Sequence, residues 1–158
     1  MSKEVKALVG IVSFAPILFL LGLVASFFLY QLFPFALTHE ETLVNIFAIG
    51  GVLMLLGGTI LAFSAQRISR VVTHPEYKAT CPDLMQGPYA YSRHPGSLSL
   101  MIMYVGFALI VNSLIMIILA CVLILALTLV FVPAQEKVIS EMCPESYAEY
   151  KSKVRMWL

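Results

Sequence analysis

Four apolar runs, at about residues 7–33, 43–65, 95–111 and 113–132, leave this chain little choice of fold. A hydrocarbon core takes roughly 20 helical residues to cross, and each run meets or approaches that length. In lipid every backbone polar group must find its partner within the segment, so runs of this kind form helices. Composition agrees, with 60% of residues hydrophobic, 12% charged and a mean hydropathy of +0.92, far from the soluble average. The sequence predicts an all-α integral membrane protein: one domain over residues 1–158 with four transmembrane helices.

The first run is too long for a signal-peptide core and lacks a small-residue cleavage site, so it reads as a span. Pro16 within it predicts a kink that membrane helices tolerate. Gly50, Gly51, Gly57 and Gly58 lie a heptad apart and predict a close helix–helix contact. The third and fourth runs meet at Asn112-Ser113 with almost no linker, which predicts a tight helical hairpin.

The loop 66–94 is the one long polar connection and carries Arg67, Arg70, Lys78 and Arg93, whereas the turn at His39, Glu40 and Glu41 holds no Lys or Arg. By the positive-inside rule both termini and the 66–94 loop face the cytoplasm. Pro133 is expected to end or bend the fourth helix, leaving a cap at 133–158. Pro144 and Glu145 suit the first turn of a new helix. Tyr147, Tyr150, Val154 and Trp157 recur every three to four residues opposite Lys151, Lys153 and Arg155. That is the pattern of an amphipathic helix lying at the interface or folding back over the loop.

The polar island Gly87-Pro88-Tyr89-Ala90-Tyr91-Ser92-Arg93-His94-Pro95 abuts the third run. Ionisable groups near membrane depth are costly unless paired or facing a wet cavity, so Arg93 and His94 read either as a ligand site or as juxtamembrane anchors. The hairpin returns the chain to the same side, where Tyr89, His94, Gln135, Glu136, Tyr147 and Tyr150 could converge on a polar, partly cationic small molecule. A net charge of +1 without a basic stripe speaks against a nucleic-acid partner. Cys81, Cys121 and Cys143 show neither paired nor metal-ligand spacing and read as free thiols, with no metal site.

The pattern Leu84-x-x-Gly87-Pro88-Tyr89-x-x-x-Arg93-His94-Pro95, followed by a hairpin, Glu136-x-x-Ile139 and Tyr147-x-Glu149-Tyr150-Lys151-x-Lys153-Val154, resembles the isoprenylcysteine carboxyl methyltransferase and phospholipid methyltransferase superfamily. The resemblance covers about the last half of the chain, in order. It implies an integral membrane enzyme that takes S-adenosyl-L-methionine from the cytosol and a lipophilic acceptor from the bilayer. Tyr89, His94, Leu84 and Leu98 match positions that line the family's cofactor pocket. Glu136 matches the second member of a Glu-Glu pair at the foot of the last span, and Tyr147 and Tyr150 match tail tyrosines that pack the cap shut.

Departures fall beside these matches. Ser97 and Ser99 stand where family members commonly carry Tyr and Gly around the cofactor, and Gln135 replaces the first Glu of the pair. Phe131 stands at the substrate position where the isoprenylcysteine enzymes carry an Arg, which argues against a prenylcysteine carboxylate as acceptor. Arg93 is a second substrate-side candidate, for an anionic acceptor or a lipid phosphate. No residue stands out as a general base. His94 is nearest by chemistry, but its matched position argues for the cofactor. The expected activity is methyl transfer from S-adenosyl-L-methionine to a lipophilic acceptor. The alternatives are a non-catalytic relative that binds lipid or assembles with others, and a four-span glutathione-dependent membrane transferase.

Overall fold

Helix α1 (Lys3–Leu32) runs through Pro16 without ending there. This computed structural model describes residues 3–72 and 85–158, and within them there are helices and no strand beyond an isolated bridge between Ala36 and Ser113. Leu84 and Cys81 lie outside the described residues. Helix α2 (Glu41–Val72) takes in Arg67 and Arg70, so the helix claims the first part of the expected 66–94 loop. Helix α3 (Pro95–Ile110) is followed, after the short connection 111–113, by α4 (Leu114–Ala126), a π-turn (Leu127–Phe131), α5 (Val132–Met142) and α6 (Pro144–Lys153).

Among the described residues, two helices are long and apolar enough to cross a membrane, Glu41–Ile68 and Leu114–Glu141. Phe19–Leu32 and Pro95–Ile110 are apolar but shorter. Along α2 the large side chains Ile46, Ile49, Leu53, Leu56, Ile60 and Phe63 are all exposed, at alternating spacings of three and four. An apolar stripe of that length left uncovered is stable against hydrocarbon and costly against water.

The fourth apolar run extends further than the expected 113–132. Pro133 does not stop the helix, because a π-turn directly before it widens the backbone and α5 continues beyond. Proline lacks an N–H and its ring crowds the carbonyl one turn back, and a π-bulge accommodates both defects. Gln135 and Glu136 therefore ride on the same continuous helix as the apolar run. The other end of that helix begins at Ser113, whose hydroxyl accepts from the Met116 N–H as an N-cap. The connection before it turns through Asn112 at φ 54°, a left-handed position that Asn tolerates. The Asn112 side chain donates to the Thr38 carbonyl at 2.8 Å and accepts from the Thr38 N–H at 3.2 Å, tying this turn to the segment after α1.

Helix α3 sits between its neighbours, packed most extensively on α2 and also against α1 and α4. Gly51 of α2 meets Gly106 of α3 backbone to backbone: a Cβ on Gly51 would lie 2.5 Å from the Gly106 carbonyl oxygen, and one on Gly106 would lie 2.7 Å from that of Gly51. About two turns further on, a Cβ on Gly58 would stand 2.6 Å from Met103 and 3.1 Å from the Ser99 carbonyl. Of the four glycines expected in this contact, Gly50 and Gly57 have nothing within 4 Å, since adjacent helical residues are separated by 100° and only one of each pair can face α3. On its other side α3 is fastened to α1 through Tyr104, whose hydroxyl donates to the Gly22 carbonyl at 3.0 Å and pairs with the Ser26 hydroxyl. The Phe19 ring meets Tyr104 edge-on at 5.7 Å.

Gly51→Ala should destabilise the fold by about 1–3 kcal/mol through overpacking against backbone that cannot yield, whereas Gly50→Ala should leave the thermal midpoint in detergent unchanged. Equal midpoints for the two variants would contradict the assigned α2–α3 contact.

Candidate functional site

The site begins with a turn that few sequences could make. Gly87 opens a 3-10 turn (Gly87–Ala90) at φ 54°, and a Cβ there would lie 2.5 Å from the Cδ1 of Ile68 on α2. Glycine meets both demands, the left-handed backbone and the close approach. Four residues after Ala90, His94 is the N-cap of α3, in a non-helical conformation, with Pro95 filling the first helical turn. Between them Ser92 is buried, and its hydroxyl accepts from the His94 N–H at 3.3 Å while donating to the Met156 carbonyl at 3.1 Å.

The C-terminal segment closes on this turn from the other side. Helix α6 starts at Pro144 as its sequence implies, and buries Tyr147 and Tyr150. It ends at Lys153, short of the expected run to Trp157, because Val154 is extended. That extended stretch lets the Arg155 carbonyl accept from the Arg93 N–H at 3.0 Å, and the Tyr150 hydroxyl donates to the Tyr89 carbonyl at 2.8 Å. Trp157, carried off the helix, comes within 6.1 Å of the His94 ring, centroid to centroid. It also packs on the apolar cluster of Met101 and Leu127, together with Leu100, Leu123, Ile124 and Phe131.

At the centre lies the carboxylate of Glu136, 6% exposed. Arg93 Nη2 and His94 Nε2 each approach its Oε1 at 3.2 Å, and Lys151 Nζ reaches its Oε2 at 2.8 Å. A carboxylate buried to this degree persists only when paired and hydrogen-bonded. Burial lowers the pKa of His94 from the ordinary 6.5; hydrogen bonding and charge from Glu136 oppose that shift, the Arg93 charge adds to it, and Gln135 opposes it as a hydrogen-bonding neighbour. His94 is thus neutral at neutral pH, and since a carboxylate can only accept, its Nε2 carries the hydrogen.

Among the described residues, two buried donors in this cluster lack an acceptor in hydrogen-bond geometry: Arg93 Nε and the Tyr147 hydroxyl, the latter close to the Glu136 carboxylate. Burial and the nearby Glu136 charge push the Tyr147 pKa upward, so the hydroxyl keeps its proton. Burial does the same for Tyr150.

The sequence-predicted residues divide by where they lie. His94, Gln135 and Glu136 come together, with Tyr147, Tyr150 and the Tyr89 backbone around them. Arg93 turns its guanidinium onto Glu136. Phe131 faces the apolar cluster below. Ser99 is buried with its hydroxyl donating to the Gly96 carbonyl at 2.6 Å, and its carbonyl lies at the α2 contact beside Gly58. Ser97 and Leu98 are half-buried in the first turn of α3, where the Leu98 N–H donates to the His94 carbonyl at 3.0 Å. Cys121 is free, whereas Cys143 is disulfide-bonded, which corrects its reading as a free thiol: spacing in the sequence carries no information on which thiols the fold brings together.

Lys151 and Trp157 were not expected in the site. The sequence pattern set Lys151 apart from the tyrosines, but it follows Tyr147 by four residues and so stands beside it on α6, from where its chain reaches Glu136. The signal for it was indirect, an acidic residue at the foot of an apolar helix with two carboxylate oxygens to satisfy.

The phospholipid methyltransferase family profile matches residues 44–143, well over half of the chain. The chain belongs to the phospholipid methyltransferase family, and with two helices of spanning length it is a membrane protein of the methyltransferase class. No curated protein and no solved structure matches it. Glu136, Arg93, His94 and Gln135 lie inside the matched region, whereas Lys151 and Trp157 lie beyond it.

Because the folded state lowers the His94 pKa, the unfolded chain takes up a proton near 6.5 that the folded chain refuses. That contribution to stability is full above this value and is lost as pH falls. The thermal midpoint should therefore drop between about pH 7.5 and about pH 5.5, and the drop should be smaller in His94→Gln; an equal drop in both would remove His94 as its source.

Proposed function

We propose that the protein is an S-adenosyl-L-methionine-dependent methyltransferase that acts on a lipid or lipophilic acceptor. One observation carries this beyond family membership: a buried carboxylate and two buried donors that lack a hydrogen-bonded partner among the described residues occupy the same cluster. Glu136 suits the ammonium of the cofactor's amino-acid end, and Arg93 Nε and the Tyr147 hydroxyl suit its carboxylate. His94 and Gln135 would hold its remaining polar groups, beside Trp157, an aromatic face fit for a sulfonium. Tyr89, in the turn before α3, and Ser97 and Leu98, in the first turn of α3, belong to the proposed cofactor surroundings. The family match favours methyl transfer over the glutathione-dependent alternative.

When bound, the cofactor supplies a methyl carbon open to in-line displacement. Orientation and exclusion of water can then supply most of the acceleration. In this chain the buried Arg93–Glu136–His94 contacts give a rigid frame for orientation, and the tail carrying Trp157 shields it. Against this frame lies the apolar cluster of Met101 and Leu127 with Phe131, which offers an aliphatic acceptor a hydrocarbon wall and no charge for a substrate carboxylate. The acceptor that fits is a lipid presented from the bilayer. The proposed topology is four spans with both termini and the 66–94 loop cytoplasmic. It is supported by the hydrogen bonds that join the loop's end to the tail, which put both on one face.

The purified chain should bind S-adenosylhomocysteine saturably in calorimetry. Glu136→Gln and His94→Ala should each weaken that binding by about tenfold or more, the scale of a lost charge-assisted hydrogen bond. Methyl label from S-adenosyl-L-methionine should appear in an organic-extractable product when lipid is supplied. No saturable binding would overturn the cofactor assignment, and unchanged affinity in both variants would overturn the site.

A further inference from the structure

The partners of Glu136 differ in kind from one carboxylate oxygen to the other. On Oε1 sit Arg93 and His94, whose side chains are 8% and 6% exposed and which are fixed at the start of α3. Displacing Arg93 would strand a buried guanidinium, the costly way to break such a pair. On Oε2 sits Lys151, whose side chain is 53% exposed and which arrives from the separate helix α6. A pair half in water is weak and its flexible lysine is readily released. Exchanging the Lys151 ammonium for another cation also leaves the charge of the buried cluster unchanged, so the exchange buries no new uncompensated charge.

We propose that Lys151 is a built-in competitor: it holds Glu136 Oε2 between turnovers and gives way there to the cationic end of the methyl donor. The proposal rests on the cofactor reading above and adds to it a residue beyond the family-matched region. Lys153 does not share this role, since its Nζ pairs with Glu149 at 2.6 Å on the outer face of α6. Nor does α6 depend on Lys151 for its seat. The Tyr150–Tyr89 hydrogen bond, the Arg93–Arg155 backbone bond, the Ser92–Met156 bond and the packing of Tyr147, Tyr150 and Val154 hold it independently. Lys151 can therefore leave while the cap stays closed, and removing its charge should leave the thermal midpoint nearly unchanged.

Calorimetric titration of the full chain in detergent with S-adenosylhomocysteine and with S-adenosyl-L-methionine tests this. Lys151→Met should bind about two- to fivefold more tightly than wild type, the range set by the modest worth of a half-exposed ion pair. Lys151→Arg, which keeps the competing charge, should stay at the wild-type affinity or below it. Tightening for both ligands assigns Oε2 to the ammonium they share, and tightening for S-adenosyl-L-methionine alone assigns it to the sulfonium. Unchanged or weaker binding by Lys151→Met, with the wild type binding normally, overturns the competitor role and leaves the cofactor reading standing. Failure of the wild-type chain to bind either ligand overturns both.

Discussion

A carboxylate buried beneath a membrane protein's cap is the constraint on which the rest of this structure depends. Taking Glu136 out of water costs several kcal/mol before compensation, and only partners with fixed geometry can return it. Arg93 and His94 meet that demand because Pro95 starts a helix immediately after them and Gly87 turns the chain just before. Neither residue could reach Glu136 from a flexible loop without a further cost in conformational entropy. The polar island is thus spaced as it is to present two basic groups to one oxygen, and the tail is folded back to present a third to the other.

The apolar part of the fold serves the same end. Helix α3 must stand close to α2 for the turn before it to pack on Ile68, and the Gly51–Gly106 contact allows that approach where any side chain would hold the helices apart. Tyr104, reaching Gly22 and Ser26, fixes α3 against α1 through hydrogen bonds between largely buried groups. The π-turn at Leu127–Phe131 lets one long helix pass from the apolar run to Glu136 despite Pro133, so the polar cluster and the apolar wall beneath it are joined by a single element. Charged and aliphatic side chains are in this way set next to each other at the end of a helix.

Much of this was legible in the residues. The apolar runs declared helices, Pro144 with Glu145 marked the start of α6, and the Arg93-His94-Pro95 and Glu136 motifs were recognisable as halves of one constellation. Helix ends were less legible. Arg67 and Arg70 read as loop but lie on α2, Val154 and Trp157 read as helix but lie beyond it, and Pro133 read as a place where the helix ends or bends, whereas the helix continues past it through a π-turn. In each case local propensity was overridden by packing, which no short window of sequence contains. The glycine pairs show the same limit in reverse: all four fit the motif, and only Gly51 and Gly58 face a neighbour.

What the sequence by itself determined is the solvent and the class: hydrophobic length admits only helices in lipid, and the motifs of the latter half belong to the phospholipid methyltransferase family. What only the tertiary structure decided is the use to which the charges are put. Arg93, a candidate from sequence for an anionic acceptor or a lipid phosphate, spends its guanidinium on Glu136, and Lys151, read from sequence as part of the charged face of the tail, completes the same cluster. The reason is physical. Hydrophobic transfer is a property of each residue and adds along the chain, whereas the pairing of a buried charge depends on distances of a few ångström between segments far apart in sequence.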